Sequence, residues 1–318
     1  MIIRPVLICL SAIILILSYQ PVGAQAPTVD VTRRLVRGVQ IDTVSLTPIA
    51  DKKQKSYFET GISYQNNDVY FGRKDSSSLP YFIPVLSYYH RSGLYISANI
   101  NYLSTPQASR IDLVSLEAGY IFQSGNYDGQ FNISKYIYNA QSSSVSSEIQ
   151  GSAAWQNGYD FGILKTYLNL NLGFGTQIDY STSLGLEHQF GFLKDRLSFT
   201  PGICVNAGTQ NFYDNYYKNK RYSNNGKGHL SGNSGTTMSG SVVNPSNFKI
   251  LDYEVSIPFS YSISKLVLNF TPTYAMPVNP SLINVNTKHS NGNASNNTVN
   301  ESLSNTFYMA IGLTLKFG

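Results

Sequence analysis

The sequence predicts an all-β chain, a transmembrane up-and-down antiparallel β-barrel of about 12 strands preceded by a cleaved signal peptide, and three observations carry that expectation. Charged residues make up only 13% of the chain while tyrosine occurs 24 times, whereas soluble domains carry about 25% charge. Most of the chain divides into segments of roughly ten residues in which apolar and polar side chains alternate with period two. The linkers between the segments are alternately short and long, as expected of hairpins whose turns lie on one side of a membrane and whose loops lie on the other.

The N-terminal segment comes first. Arg4 is a lone charge ahead of the apolar run Val6 to Leu17, broken by Ser11, and Val22-Gly23-Ala24 offers small residues for cleavage before Gln25. The run is about a dozen residues, short of the roughly 20 that a spanning helix requires, so it reads as a secretion signal. The signal then occupies residues 1–24. Cys9 falls inside it, which leaves Cys204 alone in the mature chain and excludes an internal disulfide there. No later stretch is continuously apolar over about 18 residues, so any membrane crossing is made by strands. Residues 25–55 form a basic periplasmic N-terminal arm, with Arg33, Arg34, Arg37, Lys52, Lys53 and Lys55 against Asp30, Asp42 and Asp51. Of the formal +5, Arg4 leaves with the signal and the arm holds three more, so residues 56–318 carry about +1. That is no field for nucleic acid.

The barrel occupies residues 56–318, with strands expected at 56–66, 79–90, 94–104, 110–123, 130–140, 147–157, 161–174, 178–191, 196–211, 248–262, 266–277 and 305–317. An even count suits single-chain bacterial barrels. Turn-like linkers fall at Arg91-Ser92-Gly93, Ser124-Gly125-Asn126, Asn157-Gly158, Lys194-Asp195 and Ser264-Lys265, whereas the long extracellular loops are 212–247 and 278–304. Pro80 and Pro84 interrupt one segment, and Lys135 shares a face with Phe131, Ile133 and Ile137 in another, which keeps a ten-strand reading open. The two loops are rich in Asn, Ser, Gly and Thr, so they read as mobile surface loops without a folded core.

The closing run FYMAIGLTLKFG places Phe307, Met309, Ile311, Leu313, Leu315 and Phe317 on one face. It resembles the C-terminal assembly strand of Gram-negative bacterial outer-membrane β-barrel proteins, here of the small, uncharacterised type. Gly318 follows the aromatic Phe317, which departs from that pattern. The resemblance implies residence in the bacterial cell outer membrane, contact with its lipid, and engagement of the barrel insertion machinery during assembly.

Candidate chemistry is sparse. His188 lies on an apolar parity with Leu184, Leu186 and Phe190 but has no serine one step away on its face, and a catalytic pair needs both. His90, His229 and His289 have no second ligand at metal-site spacing. No catalytic residue, metal or cofactor is therefore assigned, and an enzyme is not expected. The lumen is the remaining place for function. Parity turns Glu59, Glu117, Glu148, Lys165, Glu187, Asp252, Glu254 and Lys316 inward, an acid excess that favours cations. A small channel for hydrophilic solutes with weak cation preference leads. A closed barrel acting as a structural or surface-binding protein through its loops, and a lipid-active barrel enzyme, stand behind it.

Overall fold

The computed structural model describes residues 55–106, 108–221, 237–289 and 293–318. The expected signal peptide and nearly all of the basic arm lie outside the described residues. Eighteen strands occur among the described residues, and twelve of them close a barrel.

The barrel strands are β1 (Tyr57–Gln65), β2 (Tyr81–Tyr89), β3 (Leu94–Ser104), β4 (Ser109–Ser124), β5 (Tyr127–Tyr138), β6 (Gly151–Asp160), β7 (Lys165–Phe174), β8 (Ile178–Glu187), β11 (Gly202–Gly208), β13 (Lys249–Ser256), β15 (Leu266–Pro277) and β18 (Thr306–Phe317). Each pairs antiparallel with its neighbours, and the cylinder closes through β1 with β18 and through β13 with β15. Closure leaves no open sheet edge in the wall, the condition for spanning lipid with strands.

Alternation sets the two faces. Along β18, Phe307, Ile311, Leu313, Leu315 and Phe317 are exposed, and Phe317, Leu315, Leu313 and Ile311 lie beside Phe58, Thr60, Ile62 and Tyr64 of β1. The opposite parity of β1 and its neighbours buries Glu59, Ser63, Gln65, Ser87, Ser97 and Asn99. An apolar exterior around a polar interior is the inverse of a soluble barrel and suits a lipid solvent. Outward aromatics ring the short-turn end, where Phe192, Phe199, Phe259 and Phe270 stack across adjacent strands at 5.6, 6.0 and 6.1 Å.

Prolines explain the irregularities. Pro84 remains within β2, but the β2–β3 ladder skips from Phe82↔Tyr102 to Val85↔Asn99 because proline offers no N–H. Near the short-turn end Pro201, Pro258 and Pro272 lie on adjoining strands, and their carbonyls accept from His188, Thr200 and Ile257 N–H. There three strands break and resume, so β9 (Phe190–Phe192), β10 (Leu197–Phe199) and β14 (Phe259–Ile263) extend β8, β11 and β13. Lys135 sits on the outer parity near the long-loop end of β5, where its stem can reach the interface.

Two expectations are corrected. Asn157 and Gly158 belong to β6, and the turn comes later, at residues 161–164. A Cβ at Gly158 would stand 2.8 Å from both Asp128 Oδ1 and Lys165 Cε, so glycine here makes room for an ion pair instead of a turn. The long loops also have a folded core. The first carries a helix, α1 (Asn211–Tyr216), continued by a π-helical turn (Tyr217–Arg221), and then β12 (Thr237–Val242). The second carries the hairpin β16 (Leu282–Lys288) and β17 (Ala294–Asn300), and β12, β16 and β17 form a separate three-stranded sheet.

Candidate functional site: the lumen wall and the cap at its mouth

The inner wall is a set of polar rows that run around the barrel at constant register. One row passes through Gln130, Gln156, Asn169, Ser183, Asn206 and Asp252 on six successive strands. Asn206 Nδ2 donates to Asp252 Oδ1 at 2.6 Å. On β3 to β5, Tyr95 OH donates to Glu117 Oε1 and Gln130 Nε2 donates to Tyr95 OH, reaching over β4 as only the concave face allows. Ser134 Oγ donates to Glu117 Oε2 at 3.1 Å.

Most of the sequence-assigned charges sit in this wall as local pairs. Glu59 Oε2 is 3.7 Å from Lys316 Nζ, which also lies 5.6 Å from the Tyr57 ring centre. Lys165 Nζ is 2.7 Å from Asp128 Oδ1, and Glu187 stands opposite Lys165 in the β7–β8 register. Asp252 and Glu254 are buried, and Tyr308 OH donates to Glu254 Oε1 at 3.5 Å. Glu148 is placed differently. It precedes β6, in the 139–150 connection, where Asn219 Nδ2 donates to its Oε2 at 2.7 Å. The alternation assigned it to a strand because the serines around it mimic a polar face.

The long-loop end holds a cap that parity could not reveal. Tyr70, Phe71, Val145, Ile149, Phe212, Tyr213, Tyr216, Val242, Ile283 and Val285 come from four loops and bury together against Leu113, Tyr136 and Leu251 of the wall. Phe212 meets Tyr70 edge-on at 4.7 Å, and Tyr213 stacks on Tyr216 at 5.9 Å. Such ring pairs add about 0.5–1.5 kcal/mol beyond area burial.

Arg73 is the hub of this cap. Its side chain is 1% exposed, and its Nε lies 3.1 Å from Glu301 Oε1, itself on a side chain only 4% exposed. Nη1 donates to the Phe71 and Leu251 carbonyls at 3.1 and 3.3 Å, while Nη2 donates to Glu301 Oε2 at 3.3 Å and to the Val278 and Asn279 carbonyls at 3.4 Å. Glu301 also accepts from Ser281 N–H at 2.9 Å. A planar, permanently charged fork is suited to joining three chain segments in this way.

Other carboxylates tie the remaining loops. Asp179, on β8, accepts from the Asn211 and Phe212 N–H groups at 2.7 and 2.8 Å, capping α1 from outside its own segment. Asp75 accepts from Tyr216 OH at 2.9 Å, and Asp112 from Tyr81 OH and Ser142 Oγ, both at 2.7 Å. Asp68 is half-buried in the 66–80 loop and accepts from Ser144 Oγ at 2.5 Å. Burial pushes its carboxyl up to about 6, partly offset by the Ser144 hydrogen bond and reinforced by Asp112 and Asp75. None of Arg73, Asp75, Asp112, Asp179 or Glu301 stood out in the sequence, because the partners that tie one loop to another are distant in the chain.

His188 lies between β8 and β9, where Nδ1 contacts the Ile163 carbonyl and the ring meets Phe190 edge-on at 4.3 Å. β18 occupies the seam, hydrogen-bonded to both β1 and β15.

A closed strand cylinder, apolar outside and polar inside, decides the class. The chain is a transmembrane β-barrel of the bacterial outer-membrane type. No family model matches it, and no curated protein does. Among solved structures it is similar to KdgM porin, at 11% identity over 82% of this chain and 99% of that one, with a TM-score of 0.41. An outer membrane channel from Pseudomonas putida F1 matches at 10% identity over 83% and 96%, with a TM-score of 0.42. LpxR from Salmonella typhimurium matches at 11% identity over 81% and 99%, also at 0.42. The class rests on the closure and the two faces of the wall, not on these distant likenesses.

Proposed function

We propose that this outer-membrane barrel is a small channel for hydrophilic solutes with a weak preference for cations, shut at its long-loop end by the cap. The observation that carries the reading is the inner wall. Below the cap, inward strand positions hold Glu59, Glu117, Asp128, Glu187, Asp252 and Glu254 against Lys165 and Lys316. A conduit lined with carboxylates selects by sign. The long loops then face outward from the cell and the start of β1 and the end of β18 face the periplasm, because periplasmic turns are the short ones in such barrels.

The cap supports a second reading, a closed barrel that acts through its outer surface. A buried Arg73–Glu301 pair inside an aromatic core is more than a passing constriction needs. The lipid-active alternative would need a hydroxyl nucleophile beside His188, whose ring meets the Ile163 carbonyl and the Phe190 ring.

Conductance separates the two. Wild type in planar bilayers should show rare steps, and Arg73→Gln, which loosens the cap, should show frequent ones with a reversal potential favouring potassium over chloride. If wild type and Arg73→Gln are both silent, the channel is lost and the closed barrel stands.

A further inference from the structure

The three-stranded sheet of the long loops, whose Val242, Ile283 and Val285 join the cap core, has two edges, and they differ. At the β12 edge, Val242 N–H points away from β16 and is met by Asp214 Oδ1 at 2.8 Å, so the helix side of the loop covers that edge. At the other edge, β17 is exposed at every one of its seven residues, Ala294 to Asn300. The hairpin register fixes which groups face out. His289 N–H donates to the Asn293 carbonyl and Glu301 N–H to the Ser281 carbonyl, both at 2.8 Å. With pairs Ile283↔Val299, Val285↔Asn297 and Thr287↔Ser295 between them, the odd-numbered residues of β17 bond to β16. The backbone N–H and C=O groups of Ala294, Asn296, Thr298 and Asn300 therefore point away from the sheet.

Exposed edges are normally blunted by charge, proline, a bulge or a covering segment. ASNNTVN contains no charge and no proline, and its pairing with β16 runs without a register shift. We propose that β17 is an interaction edge that pairs antiparallel with β17 of a second copy of this chain, about a two-fold axis through Asn297. That axis sets Ala294 opposite Asn300 and Asn296 opposite Thr298, so each outward-facing residue meets another and every outward backbone group gains a partner. Self-pairing brings no like charges together, because the strand has none. The two-fold keeps both barrels the same way up when it runs along the membrane normal, so the dimer sets β17 across the mouth, parallel to the membrane, where confinement to one membrane raises the local concentration of copies. The result is a six-stranded sheet shared between two barrels. It is independent of whether either lumen conducts.

Single cysteines test the register, in a Cys204→Ser background so that no other thiol remains in the mature chain. Under mild oxidation in outer-membrane vesicles, Asn297→Cys should give a disulfide dimer at least tenfold faster than Asn296→Cys or Thr298→Cys alone. A mixture of the Asn296→Cys and Thr298→Cys proteins should recover the fast rate. Asn296→Pro, which removes an outward N–H, should abolish the dimer while heat-modifiable gel migration shows that the barrel still folds. A monomer in detergent and in vesicles, a rate that does not peak at 297, an Asn296→Pro dimer as abundant as wild type, or capture of a different protein's strand at this edge would each overturn the proposal.

Discussion

The wall and the cap are built on opposite solvation rules. The wall turns Phe58, Ile62, Leu313 and Phe317 outward and keeps Ser, Asn and Gln within, held by backbone ladders that lipid cannot compete for. The cap does the reverse. It gathers Tyr70, Phe212, Tyr216 and Ile283 inward, places Asn284, Asn286 and Asn296 outside, and nails the centre with one buried ion pair, like a small soluble domain seated in the mouth. The cap should therefore fail by side-chain truncation and titration, and the wall should not.

The largest break in that contrast is Arg73→Met. It leaves Glu301 charged and unpaired in the core, a loss of about 3–5 kcal/mol in the cap. Amide exchange should rise across 281–301 while β1 to β8 stay protected. Equal loss of protection in the wall would mean that cap and wall are one cooperative unit. Phe212→Ala removes a ring from the same core at about 3 kcal/mol or more, read as proteolysis within the 209–248 loop. Asp179→Ala uncaps α1 from the barrel side and should cost about 1–2 kcal/mol, visible in exchange at Asn211 and Phe212.

Titration sharpens the comparison. The Asp68 carboxyl is raised in the folded cap from 3.8 to about 6, so the folded state holds its proton more tightly than the unfolded loop does. Its contribution is greatest below the unfolded value and is lost as pH rises through about 6. Loop proteolysis should accordingly quicken between pH 4 and 7, and Asp68→Asn should flatten that rise. The smallest effect belongs to the wall: Glu59→Gln disturbs a pair whose lysine side chain is 22% exposed, and unfolding in urea should shift by about 1 kcal/mol or less.

The wall was legible in the sequence and the cap was not, for a physical reason. Strand alternation is local, so Phe307 to Phe317 declares its two faces without any partner, and Arg91-Ser92-Gly93 marks its own turn through a glycine at φ +95°. The Asn157-Gly158 turn failed because the Lys165–Asp128 pair needs a glycine inside the strand, a demand visible only once β5, β6 and β7 lie side by side. The loops looked coreless because their apolar residues are few and scattered. Phe212, Val242, Ile283 and Val285 become a core only when the barrel brings four loops to one mouth. Arg73 and Glu301 meet from opposite ends of the barrel sequence, and no pattern in either neighbourhood announces the other.

The seam between β1 and β18 also governs time. Phe58 lies beside Phe317, the first strand against the last. The cylinder cannot shut until β18 has been made, because without it β1 and β15 each lack a partner along one edge. Contacts this distant along the chain form slowly. Sealing the wall is therefore a late event, set by the arrival of β18 at β1.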